Sequence, residues 1–188
     1  MTAREQIHTD RLIIRAFLES DTQDLYEYLS DPQIYRYEPG EPIDQQQAQN
    51  YASEMANKDH FWAVALESYK KVIGQLYFSQ LEPEHLMTWE LGYRMSPKYQ
   101  NQGYGSESAQ ALVDYGFREL HVHRVVAYCH PDNVASWKLL EKIGFRREGL
   151  LRKNIHFRYD AEGNPLWWDS FAYARLEDKY EANIEAEK

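Results

Sequence analysis

The sequence feature that most constrains the fold is a loop with two glycines between a predicted strand and a predicted helix. Residues 86–95 alternate apolar and polar side chains, which predicts a half-buried strand. Gly103 and Gly105 follow, and apolar residues then recur at helical spacing from Ala109 to Leu120. The first amides of a helix lack partners inside the helix and carry partial positive charge. The loop therefore predicts a backbone site for an anion such as a diphosphate.

Two common phosphate-binding patterns do not fit this loop. A Walker loop requires Lys and Ser or Thr after the last glycine, but Ser106 and Glu107 stand there. A dinucleotide fingerprint requires a third glycine, where the chain has Ser108, and an acidic residue after the next strand, where it has Cys129 and His130. From the glycines alone, an ordinary strand-to-helix turn remains an open alternative.

The composition excludes several functional classes. The formal net charge of −9 argues against a nucleic-acid partner, which would require a basic surface. Cys129 is the single cysteine, so no disulfide framework is expected and a reducing compartment is favoured. Neither a leader nor a stretch of apolar residues long enough to span a bilayer is found, so a cytoplasmic protein without a membrane partner is expected.

The periodicity predicts a mixed α/β (α+β) domain over residues 1–178, followed by a polar tail at 179–188. One central sheet of about seven strands is expected, with about four helices. Asp21 (or Ser20), Asp44 and Asn133 are predicted helix caps, and Gly92 is predicted to mark a bulge or a close backbone approach. The predicted strands are 11–17, 61–67, 72–80, 86–95, 124–129, 145–159 and 166–176.

The loop and its flanks resemble a known family. Gln100, Gly103 and Gly105 fit the pattern Gln/Arg-x-x-Gly-x-Gly/Ala, which is similar to the acyl-CoA signature of the GNAT N-acetyltransferase superfamily. The Asn-x-x-Ser spacing of Asn133 and Ser136 resembles the Rim-type branch, which acetylates ribosomal-protein N-termini. The resemblance covers nearly the whole chain and implies a mostly antiparallel twisted sheet that splays at its centre.

The resemblance also implies that acetyl-CoA is the cosubstrate. Its diphosphate would lie on the amides of residues 100–106, and its pantetheine along the edge of residues 93–96. The thioester would enter the gap between that strand and the strand at 124–129. The implied cofactor-contacting residues are Tyr93, Arg94, Met95, Gln100, Asn101, Gln102, Gly103, Tyr104, Gly105, Ser106 and Asn133.

Acyl transfer requires a base for the amine and a donor for the departing thiolate. Glu90 is the candidate base; the alternative is a solvated residue paired with Arg94. Ser136 is the candidate donor, because the tyrosine that many superfamily members use there is Leu140. The alternative for Ser136 is a local backbone contact, and for Asn133 a capping role alone. Cys129 is interpreted as inert, and no metal site is expected.

The acceptor is expected to be an amine. Tyr35, Tyr37 and Trp168 lie on segments that rim an acceptor cleft in the family. A protein N-terminus, an aminoglycoside, an amino acid and a polyamine all remain open as acceptors. The resemblance to the family also implies a homodimer. Two other classes compete with the transferase: a catalytically silent acyl-CoA-binding domain and an unrelated nucleotide binder.

Overall fold

One mixed sheet and four α-helices organise the computed structural model, which describes residues 5–177. The predicted tail at 179–188 lies outside the described residues. The strands are β1 (Ile7–His8), β2 (Leu12–Arg15), β3 (Phe61–Leu66), β4 (Val72–Gln80), β5 (Thr88–Met95), β6 (Arg124–Cys129), β7 (Arg146–Tyr159) and β8 (Pro165–Leu176). The helices are α1 (Thr22–Leu29), α2 (Gln45–Ala56), α3 (Tyr104–Glu119) and α4 (Val134–Lys142).

The sheet confirms the predicted mixed, mostly antiparallel architecture. Its strand order is β1-β2-β3-β4-β5-β6-β8-β7, and within residues 5–177 only the β5–β6 pair is parallel. It contains eight strands where about seven were predicted. The additional strand, β1, has two residues that pair with Ile13 and Ile14 of β2, and it is too short to produce a periodic pattern.

Strands β5 and β6 separate near the centre of the sheet. They pair only from Thr88 to Glu90, whereas β5 continues to Met95, which leaves a gap between the two strands. The predicted bulge at Gly92 is wrong, since β5 stays in continuous register with β4 from Trp89 to Met95. Gly92 instead allows a close approach, because a Cβ there would lie 3.3 Å from Tyr77 Cβ.

The core lies on both faces of the sheet. The larger apolar cluster joins the sheet to α3 and α4 and includes Leu91, Met95, Leu112 and Leu140. The smaller cluster lies under α1 and α2. Leu120 was predicted to continue the apolar face of α3, but it is 37% exposed because the helix ends at Glu119.

Side-chain caps fix the starts of two helices as predicted. Asp44 accepts a hydrogen bond from the Gln47 amide at the start of α2, and Asn133 accepts one from the Ser136 amide at the start of α4. Asp21 precedes α1 but does not cap it through its side chain. Its carboxylate instead binds Arg15 and the Leu18 amide.

None of the helices in the described part of the chain combines the length and the apolar character that a membrane crossing would require.

Candidate active site

The glycine loop presents backbone amides that have no partner. Gly103 precedes α3 with a left-handed φ of +85° and places no side chain over the helix start. Among the described residues, the amides of 101–106 donate no recorded hydrogen bond to a side chain or a loop carbonyl. The next amide along the chain, that of Glu107, donates the first hydrogen bond of the helix, to the Gly103 carbonyl at 3.0 Å. The requirement for the predicted diphosphate cradle is therefore met.

Two glutamines hold the loop in place through backbone contacts. Gln100 Nε2 donates to the Met95 carbonyl at 3.0 Å, and Gln102 Nε2 donates to the Lys98 carbonyl at 2.9 Å. Each contact uses one Nε2 hydrogen and holds the side chain against the loop. The Gln100 backbone amide donates to the Pro97 carbonyl at 3.4 Å, so of the predicted amides 100–106 the first is not free. Asn101 between them has a left-handed φ of +58°.

Arg11 also positions this loop, and the sequence analysis missed it. Its guanidinium pairs with Glu107 at 2.6 Å, donates to the Gln102 carbonyl at 3.1 Å and lies 4.4 Å from the centre of the Tyr104 ring. Burial alone would raise the pKa of Glu107, but hydrogen bonds from Thr9 and Arg11 outweigh it and hold this pKa below its ordinary value. Arg11 and Glu107 are 96 positions apart, so no local pattern could reveal the pair.

The remaining loop residues take the places expected from the start of a helix. Tyr104, Gly105 and Ser106 form the first turn of α3. A Cβ at Gly105 would lie 3.0 Å from Leu139 Cδ1, so this glycine permits the contact between α3 and α4. The Met95 side chain packs into the core and its carbonyl accepts from Gln100, which leaves its amide for the predicted cofactor contact.

A cavity of about 210 Å³ occupies the gap between β5 and β6. Glu90 lines it, and burial raises the pKa of this carboxyl group. The Glu90 carboxylate forms no hydrogen bond or ion pair with another described residue. The alternative pairing with Arg94 is wrong, because the Arg94 guanidinium lies 3.5 Å from Glu38 instead.

Tyr93 and Ser136 meet in this cavity. Their hydroxyl oxygens are 2.8 Å apart, and the Tyr93 hydroxyl donates to the Ser136 carbonyl oxygen at 3.0 Å. The Ser136 hydroxyl therefore contacts another side chain and not only a local backbone group. Burial raises the pKa of Tyr93 well above its ordinary range, so the phenol remains protonated. Burial also raises the pKa of Cys129, which agrees with an inert thiol.

Aromatic side chains form the outer wall of the gap. The Tyr37 ring stacks on His130 at 5.2 Å, and the Trp168 ring meets His130 edge-on at 5.0 Å. Tyr35 is buried, and its hydroxyl donates to the Leu29 carbonyl at 2.9 Å. It lines a neighbouring, larger cavity, so the structure divides the three predicted acceptor residues between two cavities.

Comparisons with known proteins agree with this geometry. The acetyltransferase (GNAT) domain family matches residues 11–146. An uncharacterized N-acetyltransferase of Bacillus subtilis strain 168, YnaD, is 39% identical over 176 residues, which cover 93% of this chain and 98% of YnaD. The [ribosomal protein uS5]-alanine N-acetyltransferase of Escherichia coli K12 is 28% identical over 159 residues, or 78% of this chain and 81% of the relative.

A solved structure provides the same result for the fold. The crystal structure of a GNAT-family acetyltransferase from Bacillus anthracis is similar with a TM-score of 0.82 and 36% sequence identity, covering 93% of this chain and 99% of that one. The chain belongs to the GNAT acetyltransferase family and is an acetyl-CoA-dependent acetyltransferase that acts on an amine.

Proposed function

We propose that the chain acetylates a primary amine by direct attack on acetyl-CoA within a ternary complex. The observation that carries this proposal is the gap between β5 and β6, which lies between the unpaired amides of 101–106 and the aromatic wall of Tyr37 and Trp168. Cofactor and acceptor can therefore approach one point of the sheet from different sides. A covalent acetyl-enzyme is not needed, and the raised pKa of Cys129 disfavours one.

The residues at the loop fit the cofactor. The amides of 101–106 would hold its diphosphate, and the Arg11–Glu107 pair fixes the loop beside them. The edge of β5 beyond Glu90 does not pair with β6, so the peptide groups that face away from β4 can bind the amides of the pantetheine arm. When bound, acetyl-CoA supplies the activated acetyl group. Asn133 caps α4 through its Oδ1, and its side-chain NH₂ would donate a hydrogen bond to the pantetheine arm.

Glu90 acts as the base in this mechanism. An amine must lose a proton to attack a thioester, and the Glu90 carboxylate lies in the gap without another partner. Because burial raises its pKa, the carboxylate is a better proton acceptor than an exposed glutamate. Glu90 takes one proton from the ammonium form of the acceptor, and the neutral nitrogen then forms a bond to the carbonyl carbon. The bond to sulfur breaks, and the remaining proton that the nitrogen sheds goes to the departing thiolate, so that CoA leaves as the thiol.

The Tyr93–Ser136 pair stabilises the departing thiolate. Both hydroxyls line the cavity that contains Glu90. The raised pKa of Tyr93 keeps its single proton on the phenol. In the structure that proton is donated to the Ser136 carbonyl, and it would turn to the sulfur when the thiolate forms. Such a donor lowers the barrier when it faces charge that develops in the transition state.

Thiol release from acetyl-CoA tests this function directly. The purified chain is assayed with a panel of amines that includes short peptides, amino acids, polyamines and aminoglycosides, and acetylated products are identified by mass spectrometry. We expect turnover on at least one class and a much lower rate without acceptor. Binding of CoA without turnover on any amine would favour an acyl-CoA sensor instead. Tighter binding of NAD or ATP than of CoA would contradict the proposal altogether.

A further inference from the structure

A second cavity of about 690 Å³ lies next to the gap, on the face of the sheet that carries α1 and α2. Its wall is aromatic at Tyr35, Tyr51, Phe61 and Tyr77, and the loop of residues 38–43 forms its rim. This cavity is more than large enough for a small organic molecule. The transfer step itself requires only the smaller cavity, so the larger one requires another explanation.

The Arg94 guanidinium enters this cavity with few partners. Its side chain is only 14% exposed, and its nearest carboxylate oxygen belongs to Glu38, at 3.5 Å. Hydrogen bonds between ions are usually about 2.7–2.9 Å long, so this contact is loose. Arg94 Nε is fully buried and has no hydrogen-bond partner among the described residues. A buried guanidinium with unmet donors destabilises a protein unless something else satisfies it.

Neighbouring groups compensate this charge only in part. Burial raises the pKa of Glu38 against the opposing effect of Arg94, and the two groups form only the loose pair described above. Gln75 and Tyr51 also line the cavity, but they are bonded to each other at 2.9 Å, and Gln75 Oε1 also accepts from Tyr28 at 3.1 Å. The Tyr35 ring centre is 5.5 Å from the guanidinium, which adds only a cation–π contact.

The two cavities meet at β5. Glu38, Pro39, Gly92 and Tyr93 line both of them. Glu90 and Arg94 belong to the same face of β5, and Gly92 between them has no side chain to block a ligand. The Cα atoms of Glu90 and Arg94 are about 13 Å apart along the strand. One molecule of about dipeptide length can therefore place an amine near the Glu90 side chain and an anionic group at the Arg94 guanidinium.

We propose that Arg94 binds a carboxylate of the acceptor, so that the preferred acceptors carry both an amine and a carboxylate, as amino acids and short peptides do. This inference rests on the proposed function, because it assigns the substrate class of the same site. Planar, bidentate recognition of a carboxylate is the chemistry for which arginine is suited. Glu38 and Glu41 on the rim would repel an acceptor with net negative charge, which favours a zwitterion.

Matched pairs of ligands test this proposal. β-Alanine, glycylglycine and their carboxamides differ only in the carboxylate, and their binding to the CoA-loaded protein is measured by calorimetry alongside kcat/KM with acetyl-CoA. For at least one pair we expect the acid to exceed its amide by about 30-fold or more, mainly through KM. Arg94→Gln should lower the affinity and kcat/KM for the acid to the values for its amide, and it should leave the values for the amide unchanged. Arg94→Lys should retain part of the preference for the acid.

Controls separate this inference from the proposed function. Arg124→Gln, which removes a β6 arginine that pairs with Glu148 and lines neither cavity, should change the binding of neither ligand of a pair. Equal binding of every acid and its amide, or an equal loss of both in Arg94→Gln, would overturn the carboxylate site. If Arg94→Gln does not fold, the wild-type pairs and Arg94→Lys decide the question. If acids bind better than their amides but no amine is acetylated, the carboxylate site stands and the transferase mechanism is rejected. If amines are acetylated without a preference for acids, the transferase mechanism stands and the carboxylate site is rejected.

Discussion

Tyr93 Oη lies 2.8 Å from Ser136 Oγ, although the two residues are 43 positions apart. β5 contributes the phenol and the first turns of α4 contribute the serine, so the contact joins the two sides of the gap. The candidate tyrosine position on α4 is occupied by Leu140, which is buried in the core. The fold thus places a tyrosine hydroxyl next to Ser136 from a different element.

Removing the Tyr93 hydroxyl should slow acetyl transfer. We expect Tyr93→Phe to lower kcat by about 10- to 100-fold, because the thiolate loses a preorganised donor. Ser136→Ala should have a smaller effect, and the double variant should be no slower than Tyr93→Phe, since the hydroxyls act as a unit. Steady-state thiol release measures kcat, and the KM for acetyl-CoA should change little. Wild-type kcat in both single variants would reject this role.

Glu90 should control the acidic limb of the pH–rate profile. Burial raises the pKa of Glu90, so the base form is lost as the pH falls through a value above the ordinary 4.5. We expect kcat/KM to decline below that raised pKa in the wild type. Glu90→Gln should be slow at neutral pH and should lack this limb. Full turnover of Glu90→Gln at neutral pH would remove Glu90 from the mechanism.

The same shift predicts an effect of Glu90 on stability. A raised pKa in the folded chain means that protonated Glu90 favours folding below its unfolded pKa, and that this contribution is lost as the pH rises through the folded pKa. Glu90→Gln should therefore have a higher Tm than the wild type at pH 8 and a similar Tm at pH 4. Thermal unfolding at both pH values checks the sign, and a lower Tm at pH 8 would contradict it.

Local chemistry explains the parts of the fold that the sequence predicts. The Asn133 cap requires only the Ser136 amide three residues on, and the apolar face of α3 repeats within one helix. Both features are therefore visible in short windows. The glycine loop belongs to the same class, because a left-handed φ at Gly103 and the start of a helix are adjacent in the chain.

Long-range contacts explain most of what the sequence does not predict. Arg11 meets Glu107 across 96 positions and Tyr93 meets Ser136 across 43, and neither pair leaves a periodic signal. Gly92 shows a local pattern that allows two outcomes, since a glycine in a strand fits a bulge or a close approach, and the position of Tyr77 on β4 selects the close approach. Which strand neighbours which also depends on the whole sheet, as when β8 inserts between β6 and β7.

The buried ion pair of Arg15 and Asp21 should dominate the stability of the α1 region. The two side chains are 11% and 6% exposed and form two hydrogen bonds of 2.8 Å, and Asp21 also accepts from the Leu18 amide. Asp21→Ala should lower the free energy of unfolding by about 3–5 kcal/mol, because it leaves a buried charge uncompensated. Urea denaturation measures the loss.

An exposed pair provides the control for that measurement. Glu54 and Lys58 form an ion pair one helical turn apart near the end of α2. Glu54→Ala should cost less than about 1 kcal/mol, since solvent screens exposed pairs. Similar losses of unfolding free energy in Asp21→Ala and Glu54→Ala would show that burial does not strengthen the Arg15–Asp21 pair.

Gly103 and Gly163 offer a matched test of the diphosphate cradle. Their φ values are +85° and +84°, so alanine at either position should cost about 1–2 kcal/mol of backbone strain. At Gly103 the added Cβ would also lie 3.2 Å from Arg11 Nη2 beside the unpaired amides, whereas at Gly163 it would meet nothing within 4 Å. We therefore expect both variants to lose similar stability, but only Gly103→Ala to weaken CoA binding, by about tenfold, or about 1.4 kcal/mol. Calorimetric Kd values for CoA, taken well below the Tm of each variant, separate the two effects. Equal CoA affinity in Gly103→Ala and Gly163→Ala would mean that the start of α3 does not hold the diphosphate.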